Sequence, residues 1–201
     1  DTLTGGGGGD ELQGGNGNDL LAGGANADTL DGGAGIDTAS YVLAAAGVTA
    51  ALDSSLAGAG DAAGDTFEAI ENLRGSNAAS SGDNLRGDDG ANVLYGYAGG
   101  DRLDGRAGND KLIGGAGVDT LAGGAGSDRF IYYALAEGGD TISDFSSRAP
   151  GNDDAFMLKR AAFGNLAAGY LAAGLFEANT TGVASATTTR FVYETDTGIL
   201  R

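Results

Sequence analysis

The sequence contains no cysteine and no histidine, and it has a single proline among its 201 residues. Without cysteine the fold can have neither a disulfide nor a thiolate metal site. Without histidine it lacks the commonest general base and transition-metal ligand, which excludes an HExxH zinc site and the Ser-His-Asp and Cys-His catalytic arrangements. Any metal in this chain must therefore be held by oxygen atoms, which suit hard divalent cations.

Positive charge is also scarce. The chain has 11 lysines and arginines against 28 aspartates and glutamates, which gives a formal net charge of −17. This balance argues against nucleic acid or an anionic membrane as a partner and favours cations. No apolar run approaches the length of a membrane span, and the sequence opens on Asp1 without a signal peptide. We therefore interpret the sequence as part of a longer protein.

Glycine is abundant, with 40 residues. Because glycine loses the most backbone entropy on folding, such a chain needs a repeating geometry that uses positive φ angles, or an external source of stabilisation. The glycines recur every nine residues in the unit G-G-x-G-x-D-x-U-x, where U is large and apolar. A flexible glycine-rich linker would not place leucine at a fixed phase, so the leucines favour a folded repeat. The aspartate slot holds Asp1, Asp10, Asp19, Asp28 and Asp37 in a first block, and Asp83, Asn92, Asp101, Asp110, Asp119 and Asp128 in a second.

This spacing predicts an all-β fold, a right-handed parallel β-roll in which two nonapeptides make one coil. In each unit D-x-U-x forms a short strand that points its apolar residue inward, and the glycine-rich part turns the chain. Stacked coils lie about 4.8 Å apart, so aspartates at the same phase would repel one another unless a cation lay between them. Calcium accepts six to eight oxygen ligands in loose geometry. One large apolar side chain per nine residues makes a thin core, so we expect both blocks to be largely disordered without calcium.

The strings GGNGNDLLA, GGAGVDTLA and GGAGSDRFI resemble the repeats of the RTX family of secreted bacterial proteins. The likeness covers about residues 1–41 and 83–131, and GGDTISDF at 138–145 resembles the segment that commonly follows the last repeat. The resemblance implies a non-catalytic β-roll that binds several Ca²⁺ ions between its turns. It also implies an extracellular location and export by type I secretion machinery.

In the family the aspartate side chain and the carbonyls of the turn coordinate the ion. A neutral Asn92 and an Asn26 in place of a turn glycine make ions near those rungs weaker or absent. The aspartate ligands implied here are Asp10, Asp19, Asp28, Asp37, Asp83, Asp101, Asp110, Asp119 and Asp128. The glycine ligands implied are Gly6, Gly8, Gly15, Gly17, Gly33, Gly35, Gly99, Gly108, Gly115, Gly117, Gly124 and Gly126.

The repeats divide the chain into four parts: a first block at 1–41, an insertion at 42–82, a second block at 83–131 and a capping region at 132–201. Asp37 and Asp83 are 46 positions apart, one more than five nonapeptides, so the phase is lost between them. The insertion is expected to form wider rungs with a protruding loop, or else a short helix at Phe67–Leu73.

The capping region is aromatic and lacks the nonapeptide. The segment Asp154–Phe176 could form a short helix or an irregular cap, and 191–201 suggests a β-hairpin that turns at 196–198. Such a cap would cover the open end of the roll. The side chains expected to pack together there are Phe145, Phe156, Phe163, Phe176, Phe191 and Tyr193.

Two functional hypotheses follow. In the first, the chain is a calcium-driven folding and secretion module of a larger protein. In the second, the roll binds an extracellular polysaccharide, for which Arg102, Lys111 and Arg129, all directly after a repeat aspartate or its equivalent, could align some positive charge on one face. Paired carboxylates could in principle run glycosidase chemistry, but these aspartates stand at ligand spacing without a cleft-forming scaffold.

Overall fold

The computed structural model describes residues 1–146 and 153–159, and the backbone of the strands at 176–179 and 191–194. Within these residues the strands, β1 to β18 in chain order, form parallel sheets, and no α-helix is present. Two short 3-10 turns lie at Gly60–Ala62 and Leu135–Glu137. The predicted all-β, parallel architecture is confirmed.

The largest sheet has eight strands and runs through both repeat blocks. Its order joins the end of the first block directly to the inserted segment and then to the second block, so the two blocks stack in one roll. The strands in sheet order are β1 (Thr2–Gly7), β3 (Leu20–Ala25), β5 (Thr38–Ser40), β8 (Asn72–Arg74), β10 (Val93–Ala98), β12 (Lys111–Ala116), β14 (Arg129–Tyr132) and β16 (Ala155–Leu158).

The opposite face is divided into two shorter sheets, because the insertion contributes a strand to each. The first sheet contains β2 (Glu11–Asn16), β4 (Thr29–Ala34) and β7 (Thr66–Glu68). The second contains β6 (Thr49–Ala51), β9 (Asn84–Arg86), β11 (Arg102–Asp104), β13 (Thr120–Ala122) and β15 (Thr141–Ile142).

The strand register shows that two nonapeptides make one coil, since Leu94 pairs with Leu112 and Leu103 with Leu121. In the most regular repeats the strands are longer than the predicted D-x-U-x. The strand β1 continues to Gly7, and the register pairs it with Ala25 in the next coil. A strand confined to D-x-U-x is therefore wrong for these repeats, because successive turns stack closely enough for their backbones to pair as well.

The core is a single row of apolar side chains between the two faces. The leucines of the repeat fill it and are fully buried from Leu21 onward, whereas Leu3 and Leu12 of the first coil are only partly buried, and Phe130 and Ile142 extend it beyond them. Each nonapeptide adds one inward side chain to the row, as the spacing predicts. Its members with at most 1% exposure are Leu21, Leu30, Ala39, Leu73, Leu85, Leu94, Leu103, Leu112, Leu121, Phe130, Ile142 and Ala50.

The insertion forms rungs of the roll. A helix at Phe67–Leu73 is wrong: Thr66–Glu68 and Asn72–Arg74 are strands. Leu73 pairs with Ala39 on one side and Leu94 on the other, so it takes the apolar slot of a repeat. The helical spacing of these apolar residues is local, and pairing with neighbouring coils overrides it.

Past the last nonapeptide the row ends in an aromatic cluster. The rings of Phe145 and Phe156 stack with centroids 4.7 Å apart, and Phe130 lies 6.0 and 6.1 Å from them. This confirms two of the six expected members; the side chains of the other four lie outside the described residues. The turn of the expected hairpin also lies outside them, and β18 (Phe191–Glu194) pairs in parallel with β17 (Phe176–Asn179).

Residues 155–158 of the segment predicted to form a helix or an irregular cap are a strand, β16, which adds to the eight-stranded sheet. Residues 160–175 of that segment lie outside the described residues. No helix in the described part of the chain is long and apolar enough to cross a membrane.

Candidate metal centre

The repeat aspartates form ladders of hydrogen bonds along the two edges of the roll. In each ladder Oδ1 of an aspartate accepts the backbone N–H of the aspartate one coil earlier. Asp37 accepts from Asp19 at 2.7 Å, and Asp128 accepts from Asp110 at 2.9 Å, both across 18 residues. The side chains are buried because the next coil covers them, and Asp37, Asp110 and Asp128 have no exposed surface.

One ladder precedes the strands of the eight-stranded sheet, and the other precedes the strands of the opposite face. The first consists of Asp1, Asp19, Asp37, Glu71, Asn92, Asp110, Asp128 and Asp154. The second has two parts, Asp10, Asp28 and Asp65, and then Val48, Asp83, Asp101, Asp119 and Asp140.

Most ladder aspartates have a second carboxylate oxygen, Oδ2, that is buried and accepts no hydrogen bond. A buried charged oxygen without a partner is costly, and stacking several of them on one edge adds repulsion. A divalent cation is the partner that removes both costs. Within the described residues this unpartnered Oδ2 belongs to Asp10, Asp19, Asp28, Asp37, Asp101, Asp110, Asp119, Asp128 and Asp140.

The unpartnered oxygens face the backbone of the turns. A Cβ on Gly14 would lie 2.6 Å from Oδ2 of Asp19 and 2.6 Å from the carbonyl oxygen of Gly32 in the next coil. A carboxylate oxygen and a carbonyl oxygen therefore converge beside this residue, where any side chain would fill the space between them. Only glycine leaves such a cradle open.

The glycines at the second and fourth positions of the unit keep successive turns close together. A Cβ on Gly33 would overlap the carbonyl oxygen of Gly15, and one on Gly35 would overlap that of Gly17. All twelve glycines predicted as ligands have positive φ, as the turn geometry requires. Asn26, Tyr97 and Arg106 adopt the same left-handed conformation at the repeat positions where they replace glycine, with φ of 82°, 72° and 77°.

The donor set fits calcium better than a transition metal. Within the described residues no group of three or more aspartate, glutamate, histidine or cysteine side chains is gathered closely enough to hold an ion. A calcium ion beside these aspartates would therefore have few carboxylate ligands, and carbonyl oxygens of the turns would supply most of the others. Calcium is the cation that accepts many such oxygens in loose geometry.

Burial also shifts the ionisation of these carboxyl groups. Desolvation raises the pKa of Asp101, Asp110 and Asp140 to about 7, and neighbouring aspartates add to the shift for all three. Desolvation likewise raises the pKa of Asp119 and Asp128. Without a cation, the roll therefore favours the neutral form of these groups.

This shift predicts a pH dependence for the calcium-free chain. The folded pKa of about 7 for Asp101 and Asp110 lies above the unfolded value of about 3.9, so the folded state binds more protons. Their contribution is fully present below about pH 4 and is lost as the pH rises through 7. Far-UV circular dichroism in calcium-depleted buffer should show the β-sheet signal falling steadily from pH 4.5 to 7.5.

In the presence of calcium the pH dependence reverses, because protons compete with the ion for the same carboxylate oxygens. Calcium affinity measured by calorimetry should therefore fall as the solution is acidified from pH 7.5 to 5. A β-sheet signal that rises with pH in calcium-free buffer would contradict the shift.

The structure brings the nine predicted aspartates onto the two edges, but they are not equivalent. Asp83 has no unpartnered oxygen, since Val48 and Ser76 donate N–H groups to its two carboxylate oxygens at 2.7 and 2.8 Å. Asn92 stands on the ladder with its amide hydrogen-bonded to protein groups. That these aspartates and glycines coordinate calcium stays a prediction.

Four acidic ladder residues were missed by the sequence reasoning: Asp65, Glu71, Asp140 and Asp154. None follows a complete glycine turn, but each stands two residues before an apolar residue: Phe67, Leu73, Ile142 and Phe156 respectively. The acidic-x-apolar triplet was therefore the signal that could have found them. Asp140 is fully buried, and the Tyr132 hydroxyl lies close to it without the geometry of a hydrogen bond.

Stacked parallel coils, left-handed turns and edge ladders of buried carboxylates together define a parallel β-roll of the calcium-binding kind. A comparison with protein families matches the RTX calcium-binding nonapeptide repeat, present in four copies, at residues 4–39, 78–112 and 96–130. The chain therefore contains an RTX repeat region, and such repeats bind several calcium ions per array. No curated protein matches the chain.

Proposed function

We propose that this β-roll folds when it binds calcium outside the cell, and that it thereby stabilises a larger secreted protein and supports its type I secretion. The observation that carries the proposal is the set of buried, unpartnered Oδ2 atoms along the two edges of the roll. Without a cation these oxygens destabilise the folded roll, and with one they serve as ligands.

The residues that would hold the ions are the repeat aspartates, other than Asp83, with carbonyl groups of the glycine turns around them. Bound calcium supplies the positive charge that these oxygens lack. The thin leucine core orders only one large side chain per nonapeptide, so the ions are needed to stabilise the coils.

Calcium dependence suits a protein that must leave the cell unfolded. Calcium modules that work outside cells bind with a Kd of about 10⁻⁴–10⁻³ M, far above the free calcium to which cytosolic sensors respond. A roll of such affinity would stay extended before export and would fold on the outside. RTX repeats are structural elements, and we propose no catalytic activity for this region.

Equilibrium dialysis of the whole chain against calcium tests the proposal. The wild type is expected to take up several ions, and Asp110→Asn to take up at least one fewer, because it removes a buried ladder carboxylate. Asp31→Asn makes the same chemical change on the outer side of β4, away from both ladders, and should leave the stoichiometry unchanged. If the wild type binds no calcium, the proposal is wrong.

The polysaccharide hypothesis finds little support in the arrangement of the basic residues. Lys111 and Arg129 are neighbours on the eight-stranded sheet, whereas Arg102 lies on the opposite face. Arg86 and Arg106 form ion pairs with acidic residues around Asp53. Two neighbouring basic side chains are too few to form a binding surface for a polyanion, so we do not propose this function.

A further inference from the structure

The middle of the roll differs from both ends. At four successive ladder positions, Asp65, Glu71, Asp83 and Asn92, no buried oxygen lacks a hydrogen-bond partner, whereas unpartnered oxygens flank them on both sides. We call these four residues the seam. They lie where the first repeat block, the insertion and the second block meet.

Two seam carboxylates are completed by protein donors. Asp65 accepts the N–H of Asp28 at 2.8 Å and the hydroxyl of Tyr41 at 2.7 Å. Asp83 accepts the N–H groups of Val48 and Ser76. A hydroxyl or an N–H group thus takes the place that a cation would need at the second oxygen.

Asn92 completes the other edge with its amide. Its Nδ2 donates to the carbonyl oxygen of Glu71 at 2.8 Å and to Oδ1 of Asp88 at 3.1 Å. Its Oδ1 accepts the N–H of Asp88 at 2.9 Å. Glu71 in turn accepts the N–H of Asp37 at 2.7 Å, so the ladder passes through the seam on hydrogen bonds alone.

The seam also has a larger apolar core than the repeats. Buried side chains that no nonapeptide supplies are added by Tyr41 at the end of the first block and by Val48 and Ile70 of the insertion. They cluster with Leu73 and Leu85 of the central row, and Phe67 packs partly buried against them. The seam therefore buries apolar side chains in addition to the leucine row, at the place where the carboxylates are satisfied without an ion.

We infer that the seam is a metal-independent rung that divides the calcium sites into two separate clusters and stays folded when both are emptied. This inference rests on the proposed function, namely that the repeat aspartates bind calcium. The N-terminal cluster contains Asp10, Asp19, Asp28 and Asp37, and the C-terminal cluster contains Asp101, Asp110, Asp119 and Asp128.

Hydrogen exchange of the whole chain, read by mass spectrometry with calcium and after chelation, tests the division. Chelation should collapse the protection of peptides covering 10–37 and 101–130. Peptides covering the seam, including the amides of Val48, Ser76 and Asp88 that donate within it, should exchange at least about ten-fold more slowly than both ends. Uniform loss of protection along the chain would overturn the inference.

A substitution tests the role of the amide directly. Asn92→Asp removes the two Nδ2 donations and sets a carboxylate against that of Asp88. We expect it to lower seam protection in chelator at least about ten-fold, and calcium to restore it. Asn84→Asp adds the same charge on strand β9, off the ladders, and should leave seam protection as in the wild type. Equal behaviour of the two variants would contradict a seam held by Asn92.

The outcomes separate this inference from the function on which it rests. If calcium changes exchange nowhere, calcium binding itself is wrong. If calcium protects every coil equally and chelation releases them together, the roll binds calcium but has no seam. Should Asn92→Asp not fold even in calcium, the exchange pattern of the wild type decides the question by itself.

Discussion

Removing calcium from the folded chain is expected to abolish more than half of its β-sheet signal in far-UV circular dichroism. The physical reason is the pair of carboxylate ladders, whose stacked, buried oxygens stand about one coil spacing apart. One leucine row cannot hold them together against that repulsion. The measurement compares spectra in millimolar calcium and in excess chelator at pH 7.5, where the aspartates with raised pKa are mostly charged.

Magnesium serves as the control for general ionic screening. It prefers a tight octahedron and keeps its water, so it should restore little of the signal at the same concentration. The signal that remains in chelator should come from the seam and its apolar surroundings. Identical spectra in calcium and in chelator would show that the thin core suffices without the ion, and calcium-driven folding of the roll would be wrong.

The phase of the repeats was enough to predict the coil. Leucine and aspartate at a nine-residue period predicted two units per coil, and the pairing of Leu103 with Leu121 has that register. The positive φ of the turn glycines was likewise predictable, because both the tight turn and the close approach of neighbouring coils demand it. Burial of the aspartates follows from the same stacking.

The middle of the roll could not be predicted in the same way. Its pairings join residues far apart in sequence, such as Val48 with Asp83 and Asp28 with Asp65. Neither a fixed period nor a local apolar pattern signals these contacts. At Phe67 the local pattern even favoured a helix, and the neighbouring strand β4, which pairs Leu30 with Phe67, decided otherwise.

The candidate ligands were only partly predictable for a related reason. The glycine turn predicts a calcium site at every complete repeat. Membership of a ladder, however, depends on which residue stands two places before the inward apolar side chain. Asp140 lacks the glycine turn and still has a buried, unpartnered oxygen, whereas Asp83 begins a repeat and has none. Whether a ladder carboxylate keeps an unpartnered oxygen depends on which N–H or hydroxyl groups its neighbours in the roll donate to it.

Replacing Gly115 with alanine is expected to be strongly destabilising. Its φ of +101° is strained for any residue with a Cβ, at about 1–2 kcal/mol. The added Cβ would also overlap the carbonyl oxygen of Tyr97 in the preceding coil, which would push two turns apart and disturb the cradle between them. The free energy of unfolding in saturating calcium should fall by about 2–5 kcal/mol in total.

Gly139→Ala separates backbone strain from coil spacing. Gly139 has nearly the same φ, +100°, but a Cβ there would meet only Cγ2 of Val118 at an ordinary 3.8 Å. Its substitution should cost the strain alone, about 1–2 kcal/mol by urea unfolding, with calcium stoichiometry unchanged. Gly115→Ala should in addition lose calcium uptake, since the turns that supply carbonyl oxygens no longer approach. If both variants lose the same stability and bind calcium alike, close stacking of the turns is not what holds the ions.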